Sequence, residues 1–469
     1  MDGDYAALIA RKSIRDIESG LSEVPPLASA LKPFQAAIVS WAVRRGRAAI
    51  FAGTGLGKTL MQLSWANVVA EEAGRVLILC PLAVAEQTVA EAAKFGIADV
   101  AYAADRNAIK TGIVVTNYER FEKFDITRFS GIVLDESGII KSDAGKIGAM
   151  LTEACRDVPW RLCCTATPAP NDYTELGQHS EFLGVMAAKE MLATFFVHDG
   201  SIRANDHSQG KDGWRLKGHA TEDFWAWLAS WSVMVRHPRD FGFEEDGYDL
   251  PPLHLHQETV RAEYKPTGGE LFPTMASTLS QRIGVRRDTV AERVARSVEI
   301  INRKPDEPWL IWANLNAEAD AIEKLLPRAL QVSGTHKPEI KVQRLLGFTK
   351  GDPLQLVTKH KIAARGMNYQ HCANMLMIGL TDSFEAIYQG IRRCWRFGQW
   401  REVHVYFVSS ELEGNVVANL KRKEEAFEAM LDAMASHMRD LMVENVTGGR
   451  SATEMMEPTI EMELPTWLR

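Results

Sequence analysis

Eight residues near the start of the chain have the composition of a phosphate-binding loop. The stretch AGTGLGKT, residues 52–59, follows an apolar run and precedes a helical pattern, which is the context that such a loop needs. Its glycines, Gly53, Gly55 and Gly57, allow backbone N–H groups to point at phosphate oxygens, and the N-terminus of the next helix adds a favourable field. The strict pattern has a glycine where Ala52 stands. The GKT ending favours nucleotide binding over a ligand-free glycine-rich turn.

The polar side chains of this loop predict how a nucleoside triphosphate would be held. Lys58 is placed to bind the β and γ phosphates, and the Thr59 hydroxyl is placed to hold Mg²⁺. Thr54 lies inside the loop and is a further candidate for nucleotide contact. We therefore expect ATP and Mg²⁺ as cofactors.

An acidic pair would complete this chemistry, because Mg²⁺ needs a carboxylate anchor and the attacking water needs a base. The stretch GIVLDES, residues 131–137, runs from apolar residues into Asp135 and Glu136. These acids follow a predicted strand at the C-terminal edge of a parallel sheet, where ligands bind. Asp135 is the candidate Mg²⁺ ligand and Glu136 the candidate base. The alternative, a solvated acid pair at a strand end, is disfavoured by the phosphate loop upstream.

The composition is that of an ordinary folded protein. The chain has 469 residues, 46% hydrophobic and 25% charged, with a formal net charge of -7, so a nucleic-acid site would be a local groove rather than a surface coated with positive charge. The six cysteines lack metal-ligand spacing and are expected as buried free thiols in a reducing cytoplasm. We identify no export signal and no membrane span, and expect a cytoplasmic protein.

Two segments alternate short apolar runs with helical patterns, which is typical of parallel α/β domains. They lie near residues 21–182 and 250–410. The candidate strands of the first are AAIFAG, RVLILCP, GIVVTNY, GIVLDES and RLCCTATP, and those of the second are PWLIWAN, ALQVSG, LQLVTK, NMLMIGL and VHVYFV. The predicted fold class is therefore α/β, with two open parallel sheets.

Three other segments complete the predicted organisation. Residues 1–20 form an N-terminal segment, and residues 183–249 are predicted as a short helical insertion or linker. Residues 411–469 are predicted as an amphipathic C-terminal helix, ended by the Gly-Gly pair at 448–449, and a tail. Three tryptophans of the insertion are expected in the core rather than on a base-stacking surface: Trp225, Trp227 and Trp231.

The order of these motifs resembles the superfamily-2 helicases and, within them, the Swi/Snf-like DNA-dependent ATPases. The matching stretches are LKPFQ (31–35), AGTGLGKT (52–59), CPLAVAEQTVAEAAKF (80–95), VVTNYE (114–119), LDES (134–137), TATP (165–168), VTKHKIAARGMNYQHCANMLMI (357–378) and QGIRRCWRFGQ (389–399). The last one has the Swi/Snf-type spacing Q-x3-R-x2-R-x-G-Q. Together with DESG in place of DEAD, it separates the chain from DEAD-box RNA helicases. The resemblance implies two RecA-like domains in tandem with ATP between them.

The resemblance also implies roles for residues far from the phosphate loop. Gln35 would contact adenine, and Gly366 and Gln389 would lie at the nucleotide. Arg393 and Arg396 would reach the γ-phosphate from the second domain. An arginine of this kind can be worth about 10³ to 10⁵ in rate, and its supply by a second domain would couple hydrolysis to closure of the cleft.

Four threonines and two lysines have predicted roles in coupling to nucleic acid. Thr165 and Thr167 of the TATP motif would relay the nucleotide state. The candidate contacts for a nucleic-acid backbone are, by position, Thr116, Thr358, Lys359 and Lys361, with plain solvated surface as the alternative.

The resemblance implies an ATP hydrolase that moves on DNA, a translocase or helicase, with duplex DNA expected ahead of single-stranded DNA. The short insertion favours a compact bacterial or bacteriophage motor, acting in replication, recombination or repair with partner proteins of those processes, in a bacterial cell or a phage-infected host. Two alternatives stay open. One is an RNA-dependent ATPase or helicase, and the other is a nucleotide-switched scaffold without motor activity.

Overall fold

Two parallel β-sheets, one after the other along the chain, organise the computed structural model. The structure describes residues 19–140, 146–170, 172–198, 213–261, 284, 286–363, 367–379, 381, 383–411 and 416–447. The strands are β1 (Arg47–Ala52), β2 (Val76–Cys80), β3 (Val100–Tyr102), β4 (Ile113–Asn117), β5 (Gly131–Asp135), β6 (Trp160–Thr165), β7 (Phe196–His198), β8 (Trp214–Leu216), β9 (Ser232–Val235), β10 (Leu253–Val260), β11 (Trp309–Ala313), β12 (Ala329–Gln331), β13 (Gln355–Thr358), β14 (Asn374–Ile378) and β15 (Val403–Ser410). The α-helices are α1 (Pro33–Arg45), α2 (Lys58–Glu72), α3 (Ala85–Lys94), α4 (Lys146–Ala154), α5 (Leu176–Leu183), α6 (Ala188–Phe195), α7 (Thr221–Trp231), α8 (Val290–Ile301), α9 (Asn316–Leu325), α10 (Pro338–Thr349), α11 (His360–Ala363), α12 (Phe384–Ile391) and α13 (Val416–Thr447).

Both sheets have the open arrangement of α/β domains. Within the described residues, the first sheet has seven strands in the order β3-β4-β2-β5-β6-β1-β9, and the second has six in the order β10-β15-β14-β11-β13-β12. Neighbouring strands in both sheets are parallel, whereas β7 and β8 form a separate antiparallel pair. The α/β fold class and all ten predicted strands are confirmed.

The strands that lead into the predicted site lie in the middle of the first sheet. Phe51 of β1 is in register with Thr165 of β6, and Asp135 of β5 is in register with Cys164. These strands are almost wholly buried, as expected where helices cover both faces of a parallel sheet. The phosphate loop, the acid pair and the TATP motif therefore leave the sheet at the same C-terminal edge.

The segment 183–249 is more than the predicted helical insertion. Its last strand, β9, pairs in parallel with β1 and becomes an edge strand of the first sheet. The sequence pattern missed β9 because its four residues follow α7 directly, without a turn signal between them. The core prediction for the tryptophans of this segment is confirmed by their exposures of 3%, 1% and 2% at Trp225, Trp227 and Trp231.

The C-terminal helix α13 contacts elements of both sheets. Phe427 packs against Phe384 and Tyr388 of α12, with ring centroids 5.6 and 5.2 Å apart. Further along, His437 stacks on Trp225 of α7 at 5.3 Å. The predicted helix is thus present, while the Gly-Gly pair at 448–449 and the last residues of the tail lie outside the described residues, as does most of the segment 1–20.

The cysteine prediction is also tested. All six cysteines are buried and free, as predicted. Among the described residues, no helix combines the length and the apolar character that a membrane crossing requires.

Candidate active site

The phosphate loop turns sharply between β1 and α2. Gly55 and Gly57 have φ angles of 94° and 82°, in the left-handed region that glycine adopts at little cost. Gly57 is the N-cap of α2, which begins at Lys58. The first N–H groups of α2 and its dipole therefore face the loop, an arrangement that suits a phosphate group.

Gln35 of α1 supports this loop. Its side chain is buried, its Nε2 donates to the Leu56 carbonyl over 2.9 Å, and its Oε1 accepts the Lys32 N–H over 2.9 Å. The two segments are so close that a Cβ on Gly57 would lie 2.3 Å from Gln35 Nε2. The amide of Gln35 is thus held on the loop backbone, and its contact with adenine stays a prediction.

The Lys58 ammonium lies within the loop, close to the acid pair. Its Nζ donates to the carbonyls of Ala52 and Gly53 over 2.7 and 3.3 Å. Burial lowers the pKa of Lys58, and the carboxylates of Glu136 and Asp135 act in the opposite direction. A lysine within electrostatic range of two carboxylates is suited to bind the charge of a triphosphate.

The acid pair lies in a desolvated site. Asp135 ends β5 and is 6% exposed. Burial, and then the charge of Glu136, raise the pKa of Asp135 to about 7 against the opposing effect of Lys58. Glu136 has a φ of 56°, which a non-glycine residue adopts only when its surroundings hold it. A perturbed carboxyl beside a buried lysine favours a functional site over a solvated acid pair.

Arg393 brings the second-sheet part of the chain to this acid pair. Its Nη2 lies 3.9 Å from Glu136 Oε1. The guanidinium donates to Gln389 Oε1 over 2.9 Å, to the Gln389 carbonyl over 3.1 Å and to the Met367 carbonyl over 3.3 Å. Burial lowers the pKa of Arg393, with Glu136 as the strongest opposing influence. An arginine retains its charge even so, so a fixed cation faces Glu136.

Arg396, one turn further on, approaches the same region. Its Nη1 donates to Asn368 Oδ1. Burial, and then the charge of Arg393, lower the pKa of Arg396 to about 9, while Glu91 and Glu136 act in the opposite direction. The predicted catalytic side chains are therefore brought together: Lys58, Asp135, Glu136, Arg393 and Arg396.

The TATP motif connects the two sheets through one hydroxyl. Thr167 Oγ1 accepts a hydrogen bond from Gln389 Nε2 over 3.3 Å and donates to Glu385 Oε1 over 3.5 Å. Thr165 Oγ1 accepts the Thr167 N–H over 3.1 Å. Sequence reasoning missed Glu385, because it lies in none of the recognised motifs. Its contact depends on how the second sheet meets the first.

Phe397 is a second residue that sequence reasoning left without a role. A Cβ on Gly55 would lie 2.8 Å from the Phe397 backbone nitrogen, so the two loops approach each other closely. The Phe397 ring also packs on Tyr248, with centroids 4.8 Å apart. Its position inside QGIRRCWRFGQ was a signal that could have identified it.

A cavity of about 670 Å³ opens beside the phosphate loop. Gly53 and Thr54 line one side, Arg392 and Phe397 line another, and the middle of α13 contributes further residues such as Ser436. Its volume is within the range of about 300 to 1,000 Å³ found for small-molecule sites. The acid pair does not line it, so this cavity extends the site rather than containing its chemistry.

The residues present suit a nucleotide and Mg²⁺. Within the described residues, the buried Thr54 Oγ1 has no hydrogen-bond partner, which fits a polar ligand at the loop. The Thr59 hydroxyl and the Asp135 carboxylate are oxygen donors, the type that Mg²⁺ prefers. No group of three or more His, Cys, Asp or Glu side chains in the described part of the chain could hold a metal by itself.

Two of the residues predicted to contact a nucleic-acid backbone cannot do so, and one predicted site residue lies outside the described residues. Thr116 and Thr358 are fully buried, and their hydroxyls donate to the carbonyls of Ala103 and Val332. Neither can reach a nucleic-acid backbone on the surface. Gly366 lies outside the described residues.

Comparison with known proteins finds a family that is similar to the first part of the chain. Residues 34–203 match the family described as SNF2-related domain. This part of the chain is similar to that family. The match confirms the predicted resemblance to the Swi/Snf-like branch of superfamily 2.

The matched range of the SNF2-related domain includes the phosphate loop, the acid pair and the TATP motif. Among solved structures, the SWI2/SNF2 ATPase core of Sulfolobus solfataricus in complex with dsDNA is similar at 20% identity, with a TM-score of 0.41, covering 91% of this chain and 98% of that chain. Among curated proteins, none matches the chain.

Proposed function

We propose that the chain is an ATP- and Mg²⁺-dependent DNA translocase whose hydrolytic site forms where the two sheets meet. The observation that carries this proposal is the contact of Arg393 with Glu136, 3.9 Å apart and contributed by opposite sides of the cleft. A protein that only binds nucleotide needs no cation from a second domain. This favours a motor over a nucleotide-switched scaffold.

Each side chain of the site has a proposed task. Lys58 binds the β and γ phosphates, and the N-terminus of α2 supports them. Thr59 and Asp135 hold Mg²⁺, which when bound neutralises phosphate charge. Glu136 orients the attacking water and accepts its proton. Arg393 and Arg396 stabilise the charge that develops on the γ-phosphate.

The contacts between the sheets give this chemistry a link to movement. Gln389 binds both Arg393 and Thr167, so it joins the catalytic arginine to the end of β6. Separation of the sheets would withdraw Arg393 from Glu136 and Gln389 from Thr167 together. Hydrolysis would thus occur only in the closed arrangement, and repeated opening and closing would move the two domains along a strand.

We propose DNA as the track, duplex ahead of single-stranded DNA, on the strength of the SNF2-related domain. The bacterial or bacteriophage origin, a cytoplasmic location and partners from replication or recombination are proposals as well. Because β9 completes the first sheet, we propose that the first domain includes Ser232–Val235 rather than ending at residue 182.

The test is ATP turnover measured without polymer and with duplex DNA, single-stranded DNA or RNA, with Lys58→Ala as the blank. Stimulation by duplex DNA above the other polymers would support the proposal. Stimulation by RNA above DNA would favour the RNA-dependent ATPase. Turnover that no polymer changes would favour the scaffold. Turnover equal to that of Lys58→Ala would show that nucleotide bound at Lys58 is not hydrolysed.

A further inference from the structure

A buried pair of polar side chains, Ser137 and His179, holds the turn that carries Glu136. Ser137 follows Glu136 directly and begins the short 3-10 turn Ser137–Ile140. Its Oγ lies 3.1 Å from Nε2 of His179 on α5. Both side chains are fully buried, so water does not compete for this hydrogen bond, and removing either partner would cost stability.

The same imidazole also touches the strand that leads to the phosphate loop. The His179 ring packs edge-on against Phe51 of β1, with centroids 5.4 Å apart and planes at 82°. Phe51 is followed by Ala52, whose carbonyl accepts from Lys58 Nζ. His179 therefore contacts both chain segments that form the candidate site, while itself lying behind them.

The backbone of Glu136 must be held in place by its surroundings. Its φ of 56° is costly for a non-glycine residue and persists only if the neighbouring structure holds it. On its exposed side, the described neighbour is Arg393 Nη2 at 3.9 Å, too far for a hydrogen bond. The turn is therefore held on its buried side, by the Tyr118 hydroxyl, which donates to the Asp135 carbonyl over 2.7 Å, and by Ser137 at the next residue.

We infer that His179 is a positioning residue for Glu136, acting through its hydrogen bond to Ser137. This inference rests on the proposed function, since it assigns Glu136 the role of base. His179 does not touch the reacting atoms. It fixes the direction in which the Glu136 carboxylate points, so its loss should affect the chemical step and not the binding of ATP.

The test compares Ser137→Ala, His179→Leu, the double variant and His179→Gln in the full chain. We expect Ser137→Ala and His179→Leu each to lower kcat by at least tenfold with the KM for ATP unchanged within twofold. The double variant should be no worse than the poorer single variant, because both remove one hydrogen bond. His179→Gln, which can still bond to Ser137, should recover part of the lost kcat.

Ser180→Ala is the matched control. Ser180 is the next residue of α5, equally buried, and its hydroxyl donates to the Met186 carbonyl over 2.9 Å. We expect it to lower the melting temperature without lowering kcat. If Ser180→Ala and His179→Leu reduce kcat alike, or if the effects of Ser137→Ala and His179→Leu multiply, the positioning role is overturned. Wild-type turnover no higher than that of Lys58→Ala would instead overturn the proposed function, and the positioning role with it.

Discussion

Oε1 of Glu136, from the first sheet, lies 3.9 Å from Nη2 of Arg393, from the second, and the two side chains are only 14% and 4% exposed. Their separation suits charge attraction more than a direct hydrogen bond. Because few water molecules can screen the pair, its interaction is stronger than that of a surface ion pair. The arginine itself donates hydrogen bonds to Gln389 and Met367. It would therefore move together with the second sheet.

Glu136→Gln should bind ATP and hydrolyse almost none. The amide keeps the size of the side chain but cannot accept a proton from water, and general-base catalysis contributes about 10²- to 10⁴-fold. Turnover and nucleotide affinity, measured separately, check this. Glu153→Gln, an exposed acid paired with Arg156, should behave as wild type. Wild-type turnover in Glu136→Gln would remove Glu136 from the role of base.

Arg396→Ala and Arg393→Ala should lose turnover far more than ATP affinity, by about 10³-fold if each acts as an arginine finger. Arg393 also binds Gln389 and Met367, and Arg396 binds Asn368, so both variants should also lower the melting temperature. Single-turnover kinetics with a fluorescent nucleotide separate binding from chemistry. Arg401→Ala, in the same segment but bonded to the His371 carbonyl, is the control. A loss of affinity without a loss of turnover would contradict the finger role.

Gly55→Ala should impair closure of the cleft. The new Cβ would lie 2.8 Å from the Phe397 nitrogen, at a φ of 94°. Strain of this kind costs about 1 to 3 kcal/mol, which corresponds to about 5- to 150-fold in turnover. Gly96→Ala is a matched control, because Gly96 has a φ of 71° with nothing within 4 Å of its Cβ position. Equal turnover in the two variants would mean that the approach of Phe397 has no bearing on hydrolysis.

The free energy of unfolding should decrease as the pH falls below 6.5, because of His360. Burial against Trp312, on which its ring stacks at 4.6 Å, lowers the pKa of His360 from 6.5 to about 4. Between these values the unfolded chain binds a proton that the folded chain does not, so stability decreases as the pH falls through this window. The full effect is about 3 kcal/mol.

His360→Phe keeps an aromatic ring on Trp312 and removes the titration. Urea unfolding of both proteins from pH 8 to pH 4 measures the difference in slope. The free energy of unfolding of wild type should drop relative to the variant by up to that amount. Parallel curves across the window would show that His360 titrates normally in the folded protein.

The local features of the site could be read from sequence because short-range chemistry dictates them. A buried apolar strand followed by AGTGLGKT, and another followed by Asp135 and Glu136, can each be recognised within about ten residues, since glycine conformations, helix N-termini and strand ends are local properties. The ten apolar strands indicated by the sequence pattern were predictable for the same reason. Five others were not predicted: β3, β7, β8, β9 and β10. The place of β9 beside β1, for example, depends on backbone pairing between distant segments.

The tertiary structure alone decided which of these features meet. Sequence reasoning assigned Thr116 and Thr358 to the surface. Their hydroxyls are instead buried and donate to the carbonyls of Ala103 and Val332. The reason is that burial is set by how strands and helices pack and not by the motif. The support of Glu136 by Ser137 and His179, and the contacts of Thr167 with Glu385 and Gln389, join segments that are far apart along the chain. Sequence alone supplied the chemical groups. Packing set their distances, which determine whether those groups act together.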